Sequence, residues 1–459
     1  MTDWQATKRV DLYGQESATK PDERSEKKSN YQKYAENTSV GGLSFVLSGS
    51  SKVRRILWLV ILLSCIALSF YLLRNSITKL IIKPSATTIT NEPNLSLEFP
   101  AVTICNLNWF SVRLANAYNP ELLNGLRRLY SGTDCDDVFA NLSRRDVPMG
   151  ALVDKDPTNF IGFCSFGTRT MSCDRVTDFD VSISRREVCY TFNSGKNGRQ
   201  ILKANGTGSY QGLQMLVSIN QDDYVGTIGH HAGIRVALHP PSEPPTADEQ
   251  GLLVPPGTSA SIGFRKHITD DRTKRGCSDT SYAECIHDHL YERLRGRCSC
   301  FSSVYSQETA DQAVNVCPLY NFCCYNQQYN SRRTRLCPPA CISTEYEITS
   351  LTYALFPTKY FPSTFSTINP DININLTQFR ENWILLEVYF STLSVQTQTT
   401  AFTYGVEEFF AEVGGQLGLC IGVSIISLFE FVIYILDEIK DRCCKPMCFK
   451  TKKGGISVI

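Results

Sequence analysis

The sequence has no excess of charge of either sign. Its 46 Lys and Arg residues nearly balance its 45 Asp and Glu residues, so no nucleic-acid partner is expected. Histidine is also scarce. The six histidines show no H-x-x-x-H spacing and no recognisable catalytic context. We therefore expect neither an enzyme nor a bound cofactor.

Apolar residues are concentrated in two blocks near the ends of the chain. The first, Ile56–Leu73, has 18 residues and no charge, and as a helix it is about 27 Å long, close to the hydrocarbon thickness of a membrane. A buried core helix is the alternative, although such helices rarely run so far without a charge. A signal peptide would be followed by small residues at a cleavage site, and none follow here. Residues 56–74 are the predicted first transmembrane helix.

The second block, roughly Phe409–Leu436, is longer and less uniform. Glu412, Gln416 and Glu430 interrupt it, and such residues are costly in lipid unless they face protein or water. Residues 409–436 are the predicted second, pore-lining transmembrane helix.

Basic residues flank both blocks on the side of the chain termini. They are Lys52, Arg54 and Arg55 before the first block, and Lys440, Arg442, Lys445, Lys450, Lys452 and Lys453 after the second. The positive-inside rule then predicts two spans with both termini in the cytoplasm. Residues 1–55 are interpreted as a cytoplasmic arm, 75–408 as an extracellular domain and 437–459 as a cytoplasmic tail. Membrane lipid is an expected partner of the two spans.

Cysteine usage fits an extracellular domain. Of 19 cysteines, 14 lie within residues 75–408, and an even number in an oxidising compartment indicates disulfides. Zinc is the alternative, since Cys298–Cys300 and Cys337–Cys341 are closely spaced, but no histidine follows in a zinc-finger spacing. Four glycosylation sequons lie in the same segment, at Asn94, Asn141, Asn205 and Asn375.

Hydrophobic periodicity predicts a mixed α+β extracellular domain. Four stretches within residues 181–265 alternate apolar and polar positions between Gly and Pro clusters, which predicts an antiparallel sheet. Residues 119–130 and 282–294 have helical patterns, and 383–398 are interpreted as one long strand. The cysteine-dense stretch 277–341 has too few apolar residues to fold without cross-links.

Several motifs resemble one family. They are FPAVTICNLN at Phe99–Asn108, GLQMLVSINQDDY at Gly212–Tyr224, CSC at 298–300 with CPPACISTEYEI at 337–348, and GGQLGLCIGVS at Gly414–Ser424. Their identity and order over residues 40–440 resemble the degenerin/epithelial sodium channel family, which includes acid-sensing and peptide-gated channels.

The resemblance implies a homo- or heterotrimeric, amiloride-sensitive channel for Na⁺. Each subunit would carry palm, β-ball, finger, thumb and knuckle regions outside two transmembrane helices. It also implies a set of disulfides: Cys105–Cys189, Cys164–Cys173, Cys277–Cys341, Cys285–Cys337, Cys300–Cys317, and Cys298 with Cys323 or Cys324. Cys135 would then join the remaining member of the vicinal pair.

The second block carries the features expected of a pore. Gly414, Gly418 and Gly422 recur every four residues on one helical face, which by itself indicates close helix packing. The resemblance identifies Gly422-Val423-Ser424 as the selectivity filter, where carbonyls and the Ser424 hydroxyl replace part of an ion's hydration shell. Glu430 is a further pore-lining candidate. Asp437 and Glu438 are either part of a charged inner mouth or an ordinary solvated helix end.

Two short segments match the family's gating regions. Ala411 and Glu412 correspond to the gate-proximal region, where a small residue permits closure. Gly41 and Gly42 correspond to a cytoplasmic motif before the first span, but Gly41 replaces the His that most members have.

The stimulus is not determined by the sequence. Asp222 and Asp223 match one side of an acid-sensing carboxylate cluster, but the opposite side carries Arg332, Arg333 and Arg335, which would lower carboxylate pKa values. His230–His231 are either a sensor of mild acid or ordinary surface residues. An extracellular ligand such as a peptide is therefore favoured over proton gating, mechanical force or constitutive opening.

The tail offers two further sites, and one other class of protein stays open. Ser457–Ile459 resembles a PDZ-binding terminus, and Cys443, Cys444 and Cys448 are either palmitoylated or free thiols. A two-pass receptor that does not conduct explains the cysteines and sequons but not the polar residues inside the second span.

Overall fold

A computed structural model describes residues 41–42, 45–46, 51–128, 147–168, 171–184, 187–225, 231–241, 243–274, 276–300, 317–330, 337–357 and 375–444. The chain divides into two compact units. One consists of Met1–Pro84 with Thr403–Ile459, and the other of Ser85–Phe402.

The described part of the first unit is mainly helical. Helix α1 spans Lys52–Ile82, and its 31 residues are long and apolar enough to cross a membrane. Near the other end of the chain, α9 (Val406–Ile421) and α10 (Ile425–Cys444) pass the same test only as a pair, over Val406–Ile421 and Ile425–Lys440, with a bend of 72°. Both α1 and α10 expose large apolar side chains, including Leu63 and Phe429, which suits lipid or neighbouring helices.

The second unit is built on two sheets and a short pair. The larger sheet has the order β1-β15-β12-β14-β9-β4-β5, with β13 also paired to β12. Its strands are β1 Ser85–Pro93, β4 Ile161–Phe166, β5 Met171–Ser172, β9 Leu213–Ser218, β12 Thr258–Asp271, β13 Ile342–Leu355, β14 Trp383–Phe390 and β15 Ser394–Phe402. The β12 strand pairs antiparallel with β13 but parallel with β14 and β15, so the sheet predicted to be antiparallel is mixed at this strand. The β9 strand pairs antiparallel on both sides, as predicted.

The second sheet has the order β11-β10-β3-β7-β6, and a separate pair joins β2 to β8. These strands are β2 Leu97–Glu98, β3 Ala101–Asn106, β6 Phe179–Ser184, β7 Glu187–Phe192, β8 Lys203–Ala204, β10 Ile234–His239 and β11 Leu252–Val254. Helices at the edges of the unit are α2 Val112–Tyr118, α3 Pro120–Arg128, α4 Pro157–Phe160, α5 Ala247–Gln250, α6 Tyr282–Arg293, α7 Phe322–Asn330 and α8 Leu376–Asn382.

One of the sequence motifs forms the centre of the smaller sheet. The stretch that begins at Phe99 supplies β3, the central strand of the smaller sheet. The Phe99 ring is fully buried, edge-on to the rings of Phe166, Phe264 and Phe390 at 4.9, 5.7 and 6.0 Å. Replacing such a buried ring by Ala typically costs about 3–5 kcal/mol. This motif therefore has a packing role.

The predicted long strand over 383–398 is two strands. It breaks after Phe390 because the backbone N–H of Ser391 donates to the carbonyl of Phe264 at 2.9 Å, and the Ser391 hydroxyl donates to the same oxygen at 3.1 Å. The chain then resumes pairing with β12 further along, from Gln396 opposite His267.

Six disulfides among the described residues cross-link this unit. They are Cys105–Cys189, Cys164–Cys173, Cys277–Cys341, Cys285–Cys337, Cys298–Cys324 and Cys300–Cys317. Cys298 thus pairs with Cys324, the second of the two alternatives, rather than with Cys323. Cys323 is itself disulfide-bonded, and Cys135 lies outside the described residues.

The vicinal pair can be distinguished by thiol labelling. In Cys324→Ser, we expect maleimide to label Cys298 once the protein is unfolded without reductant, because Cys323 is already committed to another disulfide. The matched variant Cys323→Ser should leave Cys298 unlabelled. Opening this 26-residue loop should also lower the free energy of unfolding by about 3 kcal/mol. Label on Cys298 in the second variant instead of the first would reverse the assignment.

Candidate functional site

The predicted selectivity tract is the point where the second apolar segment breaks. Helix α9 ends at Ile421, and Gly422 adopts a left-handed conformation with φ of 69°, its N–H bonded to the carbonyl of Gly418 at 3.0 Å. Glycine is the residue best suited to such a helix end, because a side chain is strained at positive φ. Gly422 and Ser424 are exposed along the chain.

The following helix begins at once because Ser424 caps it. The Ser424 hydroxyl accepts from the backbone N–H of Ser427 at 3.4 Å, and the Ser427 hydroxyl accepts from the N–H of Ser424 at 3.1 Å. Such reciprocal capping is a common way to start a helix. The sequence Gly-x-Ser therefore encodes a helix stop and a helix start with one residue, Val423, between them. Ser424 and Ser427 are a sequence signal for the start of a helix, and hydrophobic periodicity does not detect such a signal.

This break corrects one inference from the sequence. Gly414 and Gly418 lie within α9 and are both exposed, so they share its surface as expected. Gly422 lies beyond the helix end, and the 72° bend follows it. The three glycines therefore do not form one continuous helical stripe.

The short segment before α1 reaches the same break. The N–H of Gly41 donates to the carbonyl of Ile421 at 2.8 Å, one of the carbonyls that the end of α9 leaves without a helical partner. A Cβ at position 41 would lie 3.2 Å from that oxygen, a tight contact. Gly42, with φ of 85°, packs against the Trp58 ring of α1. The two glycines thus lie against α9 and α1 respectively.

Polar side chains connect the C-terminal end of α1 to α9. The Lys79 ammonium lies 2.9 Å from Glu412 Oε1, and the Tyr404 hydroxyl donates to Glu412 Oε2. The Gln416 amide donates to Glu412 Oε1 and to the hydroxyl of the fully buried Ser76, both at 3.1 Å. Sequence analysis selected Glu412 but not its partner Lys79, because the two are 333 residues apart in the chain.

The other predicted pore residues differ in exposure. Ala411, next to Glu412, is exposed on α9. Glu430 is half-buried on α10 and has an electrostatic or hydrogen-bond partner.

The two carboxylates of the proposed ligand site have different roles. Asp223 Oδ1 accepts from the backbone N–H of Arg113 at 2.8 Å, in the first turn of α2, and so caps that helix. The Asn108 side chain also donates to the backbone carbonyl of Asp223, at 3.0 Å. Asp222 is exposed. Asp222 is thus the more exposed of the two, whereas Asp223 is half-buried. The arginines of the opposite side, at positions 332, 333 and 335, lie outside the described residues.

The remaining predictions concern modification and metal. Asn94, Asn205 and Asn375 are all exposed, as sequons must be to carry glycans, whereas Asn141 lies outside the described residues. His230 and the terminal residues 457–459 also lie outside the described residues. Among the described residues, one Cys–His group, formed by Cys285, His289 and Cys337, is close enough for a metal, but its two thiols are joined in a disulfide. The zinc alternative does not fit this group.

The sequence does not distinguish the buried histidine, His239, from the other five. His239, at the end of β10, is 6% exposed. Its Nε2 is 2.7 Å from the Thr103 hydroxyl and its Nδ1 3.1 Å from the Pro240 carbonyl. Burial lowers the pKa of His239 to about 4, so the ring is neutral in the folded protein at physiological pH.

This burial predicts acid destabilisation of the folded chain. The unfolded histidine, with a pKa near 6.5, takes up a proton before the folded one, so stability that is complete above about pH 6.5 is lost as pH falls towards 4, by about 3 kcal/mol in all. His239→Gln should reduce the drop in melting temperature of the purified chain between pH 7.5 and 5. The exposed His231→Gln serves as control. An unchanged drop in the His239 variant would contradict the assignment.

The chain is similar to known proteins over most of its length. The family described as "Amiloride-sensitive sodium channel" matches residues 34–434. "Acid-sensing ion channel 1" of Gallus gallus is 26% identical, over 92% of this chain and 86% of its own. "Acid-sensing ion channel 1A" of Danio rerio is 27% identical, over 90% and 89%. "Bile acid-sensitive ion channel" of Homo sapiens is 26% identical, over 88% and 85%.

A cryo-EM structure of a proton-activated chloride channel gives a TM-score of 0.34 at 7% identity, covering 83% of this chain and 97% of its own, too weak a likeness to support an argument. The family match, by contrast, spans most of the chain and confirms the resemblance seen in the motifs. It assigns the disulfide-rich, β-rich unit to the extracellular side, and its members are ion channels rather than enzymes. The protein belongs to the amiloride-sensitive sodium channel family, also known as the degenerin/epithelial sodium channel family.

Proposed function

We propose that this chain is one subunit of a trimeric, amiloride-sensitive channel that carries Na⁺ through the plasma membrane. The observation that carries the proposal is the helix break at Gly422-Val423-Ser424 within an apolar segment. Irregular backbone at membrane depth is tolerated only where it is buried in protein or lines water. Three copies of this break around an axis supply carbonyl and hydroxyl oxygens that can replace part of an ion's hydration shell.

The proposed topology has two spans. Helix α1 forms the first, and α9 and α10 together form the second, bent at the filter. Both termini are cytoplasmic, in agreement with the basic residues outside each span. Ala411 and Glu412 then lie at the outer gate, and Gly41 and Gly42 support the filter from the cytoplasmic side. Glu430 adds negative charge below the filter.

An extracellular ligand is the proposed stimulus. The names of two relatives give acid and bile acid as their stimuli, so relatives with this architecture respond to different small ligands. Asp222 is an exposed carboxylate suited to a basic peptide, whereas Asp223 is occupied in capping a helix. Proton gating and constitutive opening are the alternatives.

Two-electrode recording from cells that express this chain alone tests the proposal. We expect a current that is carried by Na⁺ in preference to K⁺ and is blocked by amiloride, during application of basic peptides. Acid and bile acid are applied separately, and a current under acid alone would favour proton gating instead. If surface expression is verified and co-expression with related subunits also gives no current, the non-conducting receptor replaces the channel.

A further inference from the structure

The Glu412 carboxylate is fully engaged within its own chain. Its Oε1 accepts from the Lys79 ammonium at 2.9 Å and from the Gln416 amide at 3.1 Å, and its Oε2 accepts from the Tyr404 hydroxyl. The Lys79 ammonium also lies 5.5 Å from the centre of the Tyr404 ring, within cation–π range. Three donors from three different positions therefore hold one carboxylate.

The surroundings make this a fixed arrangement rather than a chance surface pair. The Glu412 side chain is 25% exposed and that of Lys79 42% exposed. Gln416 links the pair to Ser76, which is fully buried on α1 and whose hydroxyl donates to the carbonyl of Leu72 at 3.1 Å. Networks of this kind hold charged groups in place better than isolated surface pairs, which contribute little.

The position of the pair gives it a functional meaning, which rests on the proposed channel function. Glu412 follows Ala411, the residue assigned to the outer gate. In a trimer, three unpaired carboxylates at this level would place three negative charges around the ion path, and carboxylate oxygens are the preferred ligands of Ca²⁺. With Lys79 in place, each of those charges is neutralised by a cation of the same subunit.

We propose that Lys79 is a positioning residue that holds and neutralises the Glu412 carboxylate, and thereby keeps the outer mouth of the pore from binding divalent cations. Na⁺ passes this level without competition from Ca²⁺ because no strongly charged carboxylate ring faces it. The alternative is a structural role alone, in which Lys79 only stabilises the C-terminal end of α1, where cations are favoured.

Inhibition of the Na⁺ current by external Ca²⁺ separates these roles. In Lys79→Met, the Ca²⁺ concentration that halves the current should fall at least about tenfold, a difference of about 1.4 kcal/mol in binding. Lys79→Arg should restore the wild-type value because it keeps the charge. The double variant Lys79→Met/Glu412→Gln should also return to it, because the freed carboxylate is gone. Arg74→Met removes an exposed cation from the same helix and should have no such effect.

Two results would overturn the proposal. One is unchanged Ca²⁺ inhibition in Lys79→Met, and the other is increased inhibition that persists in the double variant.

A second measurement does not depend on current. In the purified chain, Lys79→Met and Glu412→Gln should each lower the melting temperature, and the double variant should lower it no further. Additive losses would show that the two side chains do not act together. Coupled losses, with no current from the chain alone or from co-expression with related subunits at verified surface expression, would refute the channel function and leave the contact intact.

Discussion

Replacing Ala411 with Phe should produce a standing Na⁺ current in the absence of any ligand. Ala411 is exposed on α9, one residue before the Glu412 carboxylate that is held to α1. If three copies of α9 approach one another here when the pore is closed, a phenyl ring at this position prevents that approach. The closed state is then destabilised relative to the open state, and the resting current should rise at least about tenfold, which requires only about 1.4 kcal/mol.

The measurement is the amiloride-sensitive current at rest, in cells matched for surface expression. Phe410→Trp is the control, because it adds bulk at the adjacent position, which is also exposed, without altering Ala411. A resting current in both variants would indicate general disruption of the helix. The assignment of Ala411 to the gate fails if its variant reaches the surface and gives no more resting current than the wild type.

Replacing Gly422 with Ala should abolish the selectivity for Na⁺ over K⁺. If the filter is lost completely, the current should disappear as well. Gly422 has φ of 69°, a conformation that costs about 1–2 kcal/mol for a residue with a Cβ. The added methyl group therefore favours continuation of α9 past Ile421, which would straighten the break and withdraw the carbonyls and the Ser424 hydroxyl. The readout is the shift in reversal potential when external Na⁺ is exchanged for K⁺.

Gly415→Ala is the matched control, since it adds the same methyl group within α9, where a Cβ meets nothing within 4 Å in the chain. Alanine is also the better helix former at that position, by about 1 kcal/mol. A Gly422 variant with wild-type selectivity would show that the left-handed conformation is not needed for the filter.

Much of the architecture can be predicted from the sequence because its causes are local or compositional. A charge-free run such as Ile56–Leu73 must be shielded from water by a protein core or by a membrane. It lies within the helix α1. Alternation over 181–265 predicted strands at β6, β7, β9, β10 and β12, since period-two patterning is a property of the segment itself. The family motifs are local as well. They predict the filter and the gate region, and the disulfide partners that they imply agree with most of the observed pairs.

What only the tertiary structure decided concerns residues that meet from distant parts of the chain. Adjacent cysteines have the same sequence neighbourhood, so only the fold brings Cys324 rather than Cys323 to Cys298. Asp222 and Asp223 look equivalent in sequence, but α2 takes one of them as a cap. In the sequence, Lys79 is only one basic residue after an apolar run. The packing of α1 against α9 brings its ammonium group to the Glu412 carboxylate. Composition and periodicity act along the chain, whereas the pairing of charges, caps and thiols depends on distances that only folding sets.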